Sequence, residues 1–464
     1  MRNFTRRIGW PFALVALASL ALSVRGPFAA RPVECLALYL AAGIGWWWSL
    51  HRARAGGVSL RWVVAGAVLL RLVGLAADLR TSDDAARVVG EGRVVLDGSS
   101  PYAYPPDARE LESLARAAPR LHAAVGHRDV PASYPPLVQG VGVLAAELTG
   151  ERDDPDAGVR AVRALFAIAD LLALVPLVAL LRRRGLPDGL ALAWGWCPLA
   201  VFEIAGAGHL EALALAPLLG ALAVSERSRS RAGELGAAAL FALAILAKLL
   251  PIVLLPWFAR DARAPAGSPS ALVRRALVRV ALVLTFVALG FAPFLPPFSG
   301  LRGAERGVLA GLGEYALRWD GLNLAHRFVE GACALVFDRD LAWSDPRRLA
   351  RGLLALVWLA WAWCTWRRER DPARAALDLF GAWLVVTPIL HPWYALWCVP
   401  WLAFRRSSAF AFLTAAAPLA FAPVVAWQRE GRWVEPAWLW PVLVVPFALL
   451  LARDRARAHA REPA

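Results

Sequence analysis

The chain has 464 residues, 59% of them hydrophobic, with a mean hydropathy of +0.50 and a net charge of +15. A soluble protein of this length would form two or three domains of much more polar composition, so this composition excludes the soluble and disordered classes. Nucleic-acid binding is excluded as well, because the arginines stand in short clusters between apolar runs and form no basic stripe with interleaved aromatics.

Those clusters are Arg6-Arg7, Arg52/Arg54, Arg182-Arg183-Arg184, Arg227/Arg229/Arg231, Arg274-Arg275, Arg367-Arg368, Arg405-Arg406 and the tail from Arg453. By the positive-inside bias they mark cytoplasmic loops. Apolar segments at 8–24, 33–50 and 62–79 then carry the chain in, out, in and out again. The first reads as a retained span and not as a cleaved signal peptide. The loop 80–135 is therefore external, and it closes on Tyr134-Pro135-Pro136-Leu137. The span at 159–181 ends in Arg182-Arg183-Arg184 and must run inward, which leaves Leu137–Leu148 as a helix on or dipping into the outer face.

Beyond this point the spans alternate in short hairpins at 189–204 and 209–225, then 234–247 and 249–259. A span at 276–296 leads into a second external loop, 297–348, and spans near 349–366, 376–390, 393–404, 408–426 and 436–452 complete the chain. A bilayer forces backbone groups to be satisfied within each segment, so all of these are expected to be helices, about 13–14 in number. The expected fold is an all-α polytopic membrane protein forming one integral membrane domain over 1–464. Its large external loop after the third span carries short amphipathic helices. The five cysteines are isolated, lack metal-ligand spacing and read as small core residues.

On this topology the polar residues foreign to a membrane collect on the external side. Asp83, Asp84 and Arg87 open the first loop, Glu203, His209 and Glu211 cluster at the next external turn, and Lys248, the sole lysine, sits at a third. Trp319 and Asn323 lie in the second large loop, and His391 begins the turn His391-Pro392-Trp393-Tyr394. An ionisable group near the hydrocarbon costs about 2.5–3.5 kcal/mol on insertion scales, which makes each a functional candidate. Each also has a structural reading: a helix cap for the aspartates, a local ion pair for Arg87, a buried polar pair for Glu203 and His209. Lys248 would then snorkel, His391 would be an interfacial anchor, and Trp319 and Asn323 plain loop residues. Convergence on one face favours the functional reading.

The set holds carboxylates fit to act as a base and cations fit to hold an anion. No serine or cysteine lies in a nucleophile elbow, and there is no P-loop, dinucleotide fingerprint or zinc spacing. A base, several cations and an apolar body suit a lipid phosphate whose head group emerges at the membrane surface.

The order of short motifs resembles bacterial members of the glycosyltransferase C superfamily, mannosyltransferase-like enzymes that use polyprenyl-phosphate sugars. The residues that carry the resemblance are Ser82-Asp83-Asp84-Ala85-Ala86-Arg87, Glu91-Gly92-Arg93, Pro101-Tyr102, Tyr134-Pro135-Pro136-Leu137, Glu203, Gly208-His209-Leu210-Glu211, Lys248-Leu249-Leu250-Pro251 and His391-Pro392-Trp393-Tyr394. Together they cover roughly 80–435 of the sequence. Relatives tend to carry aromatics where this chain has Ala86, Val88 and Gly90, and Asn at Ser100, which implies an altered acceptor preference.

The resemblance implies transfer of mannose or another hexose, with inversion, from a polyprenyl-phosphate donor to a glycan, glycolipid or protein acceptor. The reaction would take place on the external face of the bacterial cytoplasmic membrane. Asp84, or Asp83, would be the base. Arg87, Lys248 and His391 would bind the donor phosphate, and Glu203, His209, Glu211, Trp319, Asn323, Tyr134 and Tyr394 would position substrate. The resemblance fixes no cofactor, and a divalent cation stays open because superfamily members differ. A transporter or flippase of an anionic or lipid-linked substrate, and a glycan polymerase or ligase, are the alternatives. The first predicts repeated halves with charges on both sides, which the sequence does not display.

Overall fold

The computed structural model describes residues 9–150, 153–228, 230–260, 269–337 and 345–459. Arg6, Arg7, Ile8, Arg229 and part of the second external loop lie outside the described residues. Among the described residues the regular structure is helical throughout and contains no strand. Five helices are long and apolar enough to cross a membrane: Pro32–Ala53, Pro155–Arg183, Pro269–Phe294, Pro346–Arg368 and Ser408–Glu430. A sixth candidate is the bent pair Asp188–Gly195 and Pro198–Gly206. The chain is thus an all-α polytopic membrane protein.

Unbroken spans are fewer than the apolar runs, and proline chemistry explains much of the difference. Leu60–Ala76, Glu211–Arg227 and Arg231–Ala247 are helices of 17 residues each, just short of a full crossing. Elsewhere Pro251, Pro392, Pro400 and Pro418, which lack an N–H, stand at the start of short 3-10 segments within apolar sequence.

The chain divides into two compact units, each discontinuous in sequence. One comprises Met1–Thr81, Leu181–Val201 and Trp319–Ala464, the other Ser82–Leu180 and Phe202–Arg318. In the first, Trp46, Trp194, Trp196, Trp397 and Trp401 are fully buried. Trp46 donates to the Ala193 carbonyl and Trp196 to that of Val63. The Leu192–Gly195 helix stops before Pro198 and leaves carbonyls without intrahelical partners. Buried Arg71 donates to two of them, Trp194 and Gly195.

In the second unit the Asp84–Leu96 helix crosses the Pro136–Thr149 helix in backbone contact. A methyl added at Gly92 would lie 2.1 Å from the Gly142 carbonyl carbon, and one at Gly142 would lie 2.3 Å from the Val88 oxygen. The Pro136–Thr149 helix buries one side, with Val138, Gln139, Gly142, Ala145 and Ala146. Gly92→Ala is expected to cost about 1–3 kcal/mol by overpacking this crossing. Gly140→Ala, whose methyl meets nothing within 4 Å, is expected to be neutral or slightly stabilising. Thermal unfolding of the two purified variants checks the contrast.

Within the same unit, the turn after the Asp84–Leu96 helix is tied to the second loop. Ser100 N–H donates to the Arg302 carbonyl and Arg302 N–H to that of Gly98, both at 2.9 Å. The Arg302 guanidinium reaches Asp97 at 2.5 Å. Tyr102 packs edge-on against Phe294, with ring centroids 5.2 Å apart.

Candidate active site

Asp83 occupies the N-cap position of the Asp84–Leu96 helix without a side-chain cap bond, and the first turn also holds Asp84, where the helix dipole favours negative charge. The two carboxylates then diverge. Asp83 reaches solvent over Gly126, where an added Cβ would sit 1.6 Å from its Oδ2. Desolvation by the surrounding atoms, with Asp84 alongside, holds its pKa above the ordinary carboxylate value. Asp84 turns the other way: Tyr134 Oη donates to its Oδ2 at 3.0 Å. His209 Nε2 lies 3.8 Å from the same oxygen, and the Asp84 side chain stays 26% exposed. Desolvation, with Asp84 and Glu211 nearby, pushes the half-buried Tyr134 phenol up.

His209 reaches Asp84 because of local backbone choices. Residues Val201–Gly206 form a π-helix, and Gly208 follows with φ of +83°, the left-handed region open to glycine. A Cβ at Gly208 would also lie 2.8 Å from that of Ala85, so only glycine brings this turn against the Asp84 helix. Arg163 Nε donates to the Ala205 carbonyl at 2.8 Å and fixes the segment from the other side. His209 Nδ1 lies 3.1 Å from the Glu203 carbonyl oxygen and 3.2 Å from its carboxylate, and both side chains are 1% exposed. Glu211 opens the next helix, and its Oε1 accepts from Lys248 Nζ at 2.6 Å. Lys248 is placed there because the Arg231–Ala247 helix ends in an extended residue ahead of Pro251.

Arg87 was expected to hold the donor phosphate, and its guanidinium lies among protein acceptors. Its Nε donates to Glu91 Oε1 at 2.8 Å, Nη1 to the carbonyls of Gly126 and His127, and Nη2 to those of Val130 and Pro131. The guanidinium ties the returning loop to the helix, and its donors are taken up by protein oxygens. Glu91 Oε2 in turn accepts from Gln139 Nε2 at 2.8 Å, and Gln139 also reaches the Tyr134 carbonyl, which accepts from Tyr102 Oη at 2.9 Å. Glu91, Gln139 and Tyr102 thus support Tyr134, the residue that touches Asp84. In the sequence, Glu91 and Tyr102 stand in short motifs without an assigned role, and Gln139 in none. The i, i+4 spacing of Arg87 and Glu91 was the available signal.

The remaining sequence-predicted residues fall in the other unit. His391 stacks on Trp393, with centroids 4.4 Å apart and planes 6° from parallel, and Tyr394 meets it edge-on at 5.2 Å. Asn323 Nδ2 donates to the Gly321 carbonyl at 2.7 Å, and its Oδ1 accepts from Arg327 N–H. Leu390 N–H donates to the Leu322 carbonyl at 2.6 Å, which ties the His391 turn to the Asn323 loop. The Trp319 carbonyl accepts from Arg351. The predicted residues therefore form two groups, with Asp84, Tyr134, Glu203, His209, Glu211 and Lys248 in one and Asn323, His391 and Tyr394 in the other.

An apolar cavity of about 530 Å³ lies under the short loop helices, lined by residues such as Val94, Leu111, Leu114 and Val125. Its ionic lining includes Arg87 and Glu91, already paired to each other, so the reactive carboxylate is to be sought at Asp84 and not there. Among the described residues no group of three or more His, Cys, Asp or Glu side chains is placed to hold a metal ion.

A family model described as alpha-(1->6)-mannopyranosyltransferase, N-terminal domain, matches residues 16–262, which takes in the whole Asp84 group. No curated protein and no solved structure matches the chain. The match spans more than half of the sequence, and it agrees with an all-helical membrane fold and with the order of short motifs around Asp84. The chain belongs to this MptA_B family, and is a membrane glycosyltransferase of the mannosyltransferase type.

Proposed function

We propose that the protein transfers mannose from a polyprenyl-phosphate donor to an acceptor hydroxyl at the external face of the bacterial cytoplasmic membrane, with Asp84 as general base. One observation carries this reading. Asp84 is a partly exposed carboxylate with one oxygen fixed by Tyr134 and His209 beside it, while the neighbouring acids Glu203 and Glu211 are buried. Its other oxygen is left for the acceptor.

In the step proposed, the acceptor oxygen attacks the anomeric carbon while Asp84 takes its proton. The bond from that carbon to the phosphate oxygen breaks, and the polyprenyl phosphate leaves with the electron pair. Direct displacement inverts the anomeric centre. An α-linked product, which the family description names, then requires a β-linked mannosyl phosphate. Lys248, oriented by Glu211, is the cation proposed to neutralise the leaving phosphate. His391, on its aromatic platform, is a further candidate for the donor, and Glu203, His209, Asn323 and Tyr394 for positioning.

Membrane vesicles offered β-linked polyprenyl-phosphate mannose, its α-linked isomer or a nucleotide sugar test the reading. Transfer from the β-linked lipid alone is expected, and transfer from the nucleotide sugar would overturn the lipid-donor assignment. Lys248→Met is expected to weaken transfer about tenfold, through loss of a charge-assisted contact to the phosphate. An unchanged rate at limiting donor would remove Lys248 from that role.

A further inference from the structure

Away from the residues assigned to mannosyl transfer, the first unit gathers basic side chains at one end that no carboxylate pairs among the described residues. His51 lies in the last turn of the Pro32–Ala53 helix and Arg54 caps it, while Arg406 lies two residues before the Ser408–Glu430 span. Arg54 Nη2 donates to the Leu402 carbonyl, and Arg406 Nη2 lies 2.8 Å from His51 Nδ1. Among the described residues none of the three forms an ion pair with a carboxylate. The adjacent Arg405, by contrast, is held by Asp378 at 2.5 Å, and Arg184 by Asp371 at 2.8 Å. Burial and the Arg406 guanidinium pull Arg54 down to about 10.

These groups surround a cleft of about 310 Å³, whose wall includes Trp47, Leu50 and Ser408. The carboxylate hydrogen-bonded to cleft residues, Asp454, is occupied at the start of the next helix. Its Oδ2 accepts from Ser407 Oγ at 2.9 Å, from Ser408 N–H at 2.6 Å and from Ala409 N–H at 3.1 Å. It neutralises that helix end and forms no ion pair with either cleft arginine.

We propose that this cleft binds the phosphate of an anionic membrane lipid, with the Trp47 and Leu50 wall against the adjoining acyl carbons. Two guanidiniums lining one cleft repel one another unless an anion is bound there, and their planar N–H forks match phosphate oxygens. Each has spent a single N–H on a protein acceptor. The charge pattern of the sequence assigns both segments to the cytoplasmic side, where anionic head groups attract clustered arginines. The apolar wall beside the cations suits an amphipathic ligand better than free phosphate. This site is separate from the Asp84 group, and it stands or falls independently of the transferase mechanism.

The test uses the purified full-length chain in detergent, with lipid adducts counted by native mass spectrometry. Phosphatidylglycerol is expected to be retained over phosphatidylcholine. Arg406→Gln, on an exposed side chain that the fold does not need, is expected to lower that occupancy about fivefold, as is Arg54→Gln. Arg367→Gln/Arg368→Gln removes two exposed charges elsewhere and is expected to leave occupancy unchanged. Equal retention of the two lipids, or full phosphatidylglycerol occupancy in Arg406→Gln, would overturn the proposal. So would an equal loss in the Arg367/Arg368 variant, which would indicate diffuse charge. Displacement of the lipid by millimolar inorganic phosphate would reassign the cleft to a free anion.

Discussion

Asp84→Asn is expected to lower mannosyl transfer by about 10²–10⁴-fold, the range that a positioned general base contributes. The substitution is isosteric, and the amide oxygen still accepts from Tyr134, so the helix start and the loop beneath it keep their shape. What disappears is the capacity to take a proton. The loss should therefore appear in kcat, with the KM for the lipid donor little changed. Asp83→Asn is the informative partner, because Asp83 points over Gly126 and away from Tyr134 and His209. It is expected to retain most of the activity. Turnover measured for both variants in vesicles, at saturating donor, decides the matter: full activity in Asp84→Asn with collapse in Asp83→Asn would exchange their roles.

Arg87→Met is expected to destabilise the protein by about 3–5 kcal/mol, because it strands Glu91 as a buried unpaired charge. It also removes the donors that four loop carbonyls, from Gly126 to Pro131, now share. The side chain is buried with its partner, at 11% and 4% exposure, so solvent does little to rescue the carboxylate. Pairing it with Glu91→Leu should recover part of the loss, since removing both charges costs less than stranding one. Thermal unfolding and donor KM together distinguish this from a phosphate contact. A phosphate ligand would give a stable variant with a raised KM. A brace gives an unstable one whose surviving fraction binds donor normally.

Much of this protein is determined by its sequence alone. The repeating apolar runs and the arginine clusters specify an all-α membrane protein, because a bilayer allows few other ways to satisfy a backbone and biases where charge stays. The order Asp83-Asp84, Tyr134, Glu203, Gly208-His209, Lys248 likewise marks the candidate residues, since carboxylates, a histidine and a sole lysine are costly among apolar spans and so stand out. Span continuity was less legible: hydropathy counts apolar residues, whereas Pro251, Pro392 and Pro400 decide where hydrogen bonding breaks.

Only the tertiary structure separates Asp83 from Asp84. They are adjacent in the chain with equal chemistry, and which one meets a phenol depends on where a loop 50 residues later returns. It also shows that the guanidinium of Arg87, expected to bind the donor phosphate, donates to carbonyls some 40 residues away. Gly92 and Gly142 acquire meaning in the same way, as the point where two helices touch through their backbones. Composition and local spacing report what a residue is able to do. Its partners are set by contacts between distant segments, and no local pattern records those.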